Sequence, residues 1–254
     1  MAAEGAKPVR RILAVVVVLV LLAGAAELAL RLILPSVIAA AVRSQLHLTA
    51  DHPVDVSLGG SALLHAVTGR VGDVTIAVDD APVGQGIVVG ASLHADSVPF
   101  NPLSGELRGG TARLTVSQEQ LPPVVSLLTR DVAQTGEVRD GGLVVGRDIG
   151  LFGQNVPLTS TLRLGIADGG AVEVQPTAVG VASFDLSADQ ISEFTGGLLD
   201  PILKPHTVCV RDRLPVGIDL TGIELSTTGS VHIDAELAPG ILSDPAQREP
   251  GSCA

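Results

Sequence analysis

Apolar and polar positions divide the chain into two regimes. From Ile12 to Leu34 the residues are almost all aliphatic, broken only by Glu27 and Arg31, and Pro35 ends the run. That length suffices to cross a bilayer as one helix. Glu27 and Arg31 stand four apart with the acid first, so on a helix they share a face and can pair. From Val54 onward apolar and polar residues alternate with period two, the signature of strands with one dry and one wet face. Val74, Ile76 and Val78 form one inward set, Ala112, Leu114 and Val116 a second, Leu158 to Ile166 a third, and Val231, Ile233, Ala235 and Leu237 a fourth. Strands of this kind favour antiparallel pairing, with turns expected at Asp80-Ala81-Pro82, Asp140-Gly141-Gly142 and Asp168-Gly169-Gly170.

Helical signals are fewer. Ser36 is placed to cap a short helix whose inner face is Ile38, Ala41, Val42 and Leu46, with Arg43, Ser44 and His47 pointing away. Two strands end in Ser-x-x-Gln, at Ser117 to Gln120 and Ser187 to Gln190, a capping-box spacing that turns a strand into a helix. The matched spacing suggests a duplicated strand–helix unit. Pro122 and Pro123 push the start of the first helix to around Leu121, leaving its box to cap a turn. A shorter relative runs from Val54-Asp55-Val56-Ser57 through Gly59-Gly60-Ser61 to a helix with Leu63, Leu64 and Val67, closed by Gly69.

The expected fold is α+β: a curved antiparallel sheet with amphipathic helices packed on its apolar face, preceded by one transmembrane helix. The boundaries are a cytoplasmic N-terminus over 1–11, the membrane or signal segment over 12–34, an exported domain over 36–242, and a polar tail over 243–254. Lys7, Arg10 and Arg11 flank the apolar run on its first side, which places the domain outside the cytoplasm. Ala23-Gly24-Ala25 matches a signal-peptidase site, so cleavage is the alternative to anchoring, although the run continues beyond it.

The formal net charge is -11 and the cationic residues cluster at the N-terminal segment. An acidic domain without a Lys/Arg stripe is a poor match for nucleic acid, and it is not drawn to an anionic bilayer by long-range charge. Contact with lipid must be mainly apolar. Trp and Tyr are absent and Phe occurs four times, which leaves room for an internal cavity; a GC-rich genome gives the same bias with a solid core. Cys209 and Cys253 can form a disulfide that ties down the tail, or Cys253 can be a mobile thiol.

Catalytic motifs are missing. No Gly-x-Ser-x-Gly occurs, Gly59-Gly60-Ser61 reads as a turn and N-cap, and Gly84-Gln85-Gly86 followed by Gly90 reads as a hairpin turn without dinucleotide spacing. No histidine pair has helical metal-binding spacing; His47, Asp51 and His52 are the only local cluster. No catalytic residue, metal or cofactor is assigned, and the chain is read as a non-enzyme.

The segment Val54 to Ser61 running on to Thr68-Gly69-Arg70-Val71, the Ser-x-x-Gln junctions, and Cys209-Val210-Arg211-Asp212-Arg213-Leu214-Pro215-Val216-Gly217-Ile218 together resemble the LmeA-like phospholipid-binding family of actinobacterial cell envelopes. That family joins an N-terminal membrane segment to a domain shaped like tubular lipid-binding proteins. The resemblance implies phospholipid or another acyl lipid as partner, held in an apolar groove, and a role in envelope lipid or lipoglycan homeostasis. Groove candidates from the helical faces are Leu121, Val124, Leu128, Ile191, Phe194, Leu198 and Ile202. Lys204, Arg211 and Arg213, beside His206, are the head-group candidates, and a solvated loop is the plainer account of them. The alternative function is a non-catalytic envelope scaffold with a solid core.

Overall fold

A computed structural model describes residues 6–61, 67–84, 86–101, 103–129, 131–151, 154–181, 184–196 and 203–252. The first element is one long helix, α1 (Ala6–Gln45), which carries Pro35 inside it. The expected break at Pro35 does not occur. Proline removes one backbone donor, but a membrane-type helix tolerates the loss when a nearby hydroxyl engages the disturbed turn. Ser36 does so: its Oγ donates to the Ile33 carbonyl at 2.8 Å instead of capping a new helix. Val17–Gln45 is long and apolar enough to cross a membrane.

Because α1 is continuous, its phase is set further down the helix and differs from the expected one. Ala39 and Val42 pack against Val54, Val78 and Ala81, while Ala41 and Leu46 are exposed. Arg43, expected to point away, turns in to donate from Nε to the His52 carbonyl at 2.8 Å.

Twelve strands are described: β1 (Asp55–Leu58), β2 (Arg70–Gly84), β3 (Ile87–Pro99), β4 (Gly110–Val116), β5 (Thr135–Arg139), β6 (Gly142–Leu151), β7 (Gln154–Ala167), β8 (Ala171–Val181), β9 (Phe184–Ser187), β10 (His206–Val208), β11 (Ile218–Leu225) and β12 (Val231–Leu237). They form two antiparallel six-stranded sheets. The first has the order β1-β2-β3-β4-β12-β11; the second has β10-β8-β7-β6-β5, with β9 also paired to β8. All four alternating stretches named above lie within strands. The β5–β6 turn is Asp140-Gly141, with φ of 51° and 74° between paired Arg139 and Gly142, the two left-handed positions a tight hairpin of this twist requires. Asp80-Ala81-Pro82 is no turn. β2 runs through it with a bulge between Val78 and Ala81, and Asp80 absorbs the extra residue at φ 56°.

Among the described residues two further helices are complete: α2 (Leu121–Thr129) and α3 (Ala188–Thr195); Leu63 and Leu64 of the expected helix after Ser61 lie outside the described residues. The box at α3 is complete, with Ser187 Oγ accepting from the Gln190 amide at 3.2 Å and Gln190 Oε1 accepting from the Ser187 amide at 2.9 Å. At α2 the box is not formed: Ser117 makes no side-chain cap bond, and a 3-10 turn over Gln118–Gln120 precedes the helix at Leu121. Gln120 Oε1 instead accepts from the Val88 amide at 3.3 Å, a link across the fold. The duplication does not extend to topology either. β4 lies between β3 and β12, whereas β9 pairs only β8.

The sheets join at one core, in which Ile87, Val89, Val116, Leu121, Leu143 and Val231 are buried and Leu162, Leu164, Ile223 and Leu225 pack against them. α2 closes this core, and Gly136 on β5 lets it come close: a Cβ there would lie 2.8 Å from Val125 Cγ2 and 3.1 Å from the Leu121 carbonyl oxygen. At the opposite end of the first sheet, Ala95, Leu107 and Ile241 form a smaller cluster. The segment after β12 folds back, with the Val216 amide donating to Glu249 O at 2.9 Å and the Gly251 amide to Leu214 O at 3.0 Å. Cys209 is disulfide-bonded; Cys253, the chain's other cysteine, lies outside the described residues. Replacing Gly136 with Val should overpack the α2–β5 contact and cost about 1–3 kcal/mol, read as a lower denaturant midpoint for the detergent-solubilised chain.

Candidate functional site: an uncovered apolar sheet face

Register fixes which side chains share a face of the first sheet. Val74, Ile76 and Val78 stand opposite Ala95, Leu93 and Ala91; Leu93 and Ala91 stand opposite Ala112 and Leu114; Leu114 and Ala112 stand opposite Ile233 and Ala235; Ile233 stands opposite Ile223. Every member of this face is apolar. The alanines make a low floor, from which Leu93, Leu114 and Ile233 rise.

The reverse face is polar and internally matched. Arg113 donates from Nε and Nη2 to the two carboxylate oxygens of Asp234, at 2.6 and 2.9 Å. Glu224 stands 3.8 Å from the same guanidinium. Thr75 meets His94 Nδ1 at 3.1 Å, and Thr115 meets His232 Nδ1 at 3.0 Å. The hydrogen bond from Arg113 lowers the Asp234 pKa below 3.8, with the nearby positive charge of Arg113 adding to it against partial burial. Polarity on one face and its absence on the other therefore define which side can meet an apolar ligand.

The apolar face is covered only at its margins. α1 lies along β1, with Ala39 and Val42 over one end. α2 closes the junction with the second sheet, and Leu107 and Ile241 close the opposite end. Among the described residues no helix packs over the centre, where Leu114 on an interior strand is 42% exposed. A leucine between paired apolar neighbours is ordinarily buried. The second sheet continues the theme: Leu162, Leu164, Val172 and Val174 share a half-buried face whose edge meets β11.

The helical candidates fall in different places. Leu121 is 2% exposed within the main core and Val124 packs against that core. Leu128, on the same helix, is exposed. Ile191 is buried on α3, away from α2; Leu198 and Ile202 lie outside the described residues, as does the side chain of Phe194. Of the head-group candidates, Arg211 is engaged, donating to Asp219 Oδ1 at 2.6 Å and to the Gly169 carbonyl at 3.0 Å, while Lys204 and Arg213 are exposed. Leu114, the exposed residue at the centre of the strip, was legible in sequence only as an inward strand position; half-buried Leu93 beside it was not singled out there, and Ile233 packs against the main core. His52 is occupied by the Asp79 carbonyl at 2.8 Å, and among the described residues no three metal-ligand side chains gather.

The family model for LmeA-like phospholipid-binding proteins matches residues 25–236. The chain belongs to this family. The match begins within α1 and ends in β12, so it includes both sheets and the whole uncovered strip. Comparison with curated proteins and with solved structures returned no match.

Two outcomes follow from this geometry. Truncating Leu121 to Ala should cost about 2–5 kcal/mol of stability, and the same change at Leu114 much less, when unfolding midpoints of the two variants are compared. Because its folded pKa is depressed, Asp234 contributes stability that is present above pH 3.8 and lost as pH falls through its folded value. Asp234→Asn should therefore lower the melting temperature at pH 7, with the difference from the parent chain shrinking under acid titration.

Proposed function

We propose that the chain is a membrane-anchored, extracytoplasmic phospholipid-binding protein that holds acyl chains against the uncovered face of its first sheet, serving envelope lipid or lipoglycan homeostasis. Family membership supports the ligand class. The observation that carries the reading is Leu114, a large apolar side chain left 42% exposed at the centre of an all-apolar face. Binding here needs no catalytic group: each methylene moved from water is worth about 0.8 kcal/mol, so half an acyl chain supplies several kcal/mol before ordering costs. The polar reverse face, already satisfied by its own ion pair and hydrogen bonds, gains nothing from such a ligand.

Anchoring rests on α1, whose apolar stretch is preceded by Lys7, Arg10 and Arg11 on the side that stays in the cytoplasm. The groove extends in this reading to the helical candidates, Val124 and Leu128 at one end and Ile191 on α3, and a phosphate head group would meet Lys204 or Arg213 sooner than the engaged Arg211. The chain purified in detergent should carry extractable phospholipid detectable by mass spectrometry. Leu114→Asp, which places a carboxylate in the strip, should remove that lipid and uptake of a fluorescent acyl probe while leaving the fold intact by circular dichroism. Lipid-free parent protein that also fails to take up the probe would favour the scaffold alternative.

A further inference from the structure

The domain holds α1 low on the helix. Ser61 Oγ donates to Glu27 Oε2 at 2.9 Å, and Arg31, paired with Glu27 at 2.8 Å, donates to the Gly60 carbonyl. Residues 26, 27 and 30 already lose exposure to the domain, while Leu28, Leu32 and Ile33 remain exposed on the other side. Counting about 20 residues from Ile12 for a hydrocarbon core, the far boundary of the bilayer falls near Arg31. The turn at Gly60-Ser61 is therefore level with the boundary.

Other apolar groups are tethered to this level. β2 starts beside that turn, with the Gly59 amide bonded to Asp73 O at 2.9 Å, and the Phe100 amide donates to Gly69 O at 3.0 Å. Val67 is 80% exposed, Phe100 49% and Leu103 70%. The Leu103 amide donates to Asn101 Oδ1 at 3.2 Å and the Ser104 amide to Asn101 O at 3.2 Å, so Asn101 holds the backbone that carries the exposed Leu103. We infer that Val67, Phe100 and Leu103 form a rim that inserts into the outer interface of the same bilayer that α1 crosses. This rests on the anchored reading. With a net charge of -11 the chain has no long-range attraction to an anionic surface, and apolar insertion is the contact left to it. The rim and α1 together fix the domain by more than one point, with the β2–β3 hairpin standing away from the membrane.

The chain has no Trp, so single substitutions report position directly. Phe100→Trp and Leu103→Trp, in full-length protein reconstituted into phosphatidylethanolamine/phosphatidylglycerol vesicles containing acyl-brominated lipid, should emit at blue-shifted wavelength and lose most of their intensity to the bromines. Val83→Trp, at the far end of the 15-residue β2, roughly 45–50 Å away, should stay accessible to aqueous iodide. Leu22→Trp, inside the apolar run, reports whether α1 is inserted. Quenched Leu22→Trp with iodide-accessible tryptophans at 100 and 103 overturns the rim alone; an unquenched Leu22→Trp overturns the anchor and the rim together.

Discussion

A six-stranded sheet with a face that is apolar through its centre needs something to cover it, and the described elements cover it mainly toward its edges. α1 is long enough, but its apolar packing on the sheet is at Ala39 and Val42, against Val54, Val78 and Ala81. α2 has nine residues and is used at the junction of the two sheets, against Gly136. α3 has eight and lies against β8 and β9. The centre, at Leu114 and beside half-buried Leu93, is left to another apolar partner. Exposed apolar area of this kind inside a fold marks a binding surface more often than an unfinished core.

Stability without a covered centre comes from three separate clusters and a matched polar face. The clusters at the junction, under α1 and at the Leu107–Ile241 end each bury aliphatic side chains. The Arg113–Asp234 pair ties β4 to β12 from behind, directly beneath the Leu114 strip. Such exposed pairs contribute little each, yet this one lies directly behind Leu114, the exposed residue of the apolar face. The stripe of Glu27, Arg31, Ala39 and Val42 sets how α1 meets the domain, which is why the helix keeps its phase through Pro35.

Local structure was legible where it depends on near neighbours. Period-two alternation located β2, β4, β7 and β12, Asp140-Gly141 its hairpin, Pro122-Pro123 the late start of α2, and Ser187–Gln190 its complete box. Errors arose where a distant partner decides. Asp80-Ala81-Pro82 has turn composition, but β3 pairs on both sides of it and makes a bulge; Gln120 finds Val88 instead of Ser117; Arg43 finds His52. The division into two sheets depends on β12 returning to pair with β4, which no local pattern reveals. For the same reason one-sided helix faces point to a groove in the sequence, whereas the exposed Leu114 is a strand residue that looks there like ordinary core.

In the proposed function, acyl chains lie on the inner face of β4 and β12. Photo-crosslinking the full chain in vesicles with a phospholipid carrying a diazirine on its acyl chain, followed by mapping of the modified peptides, tests it most directly. Adducts are expected on residues 110–116 and 231–237, foremost at Leu114. Label confined to the apolar run of α1, with none on either strand, would contradict it.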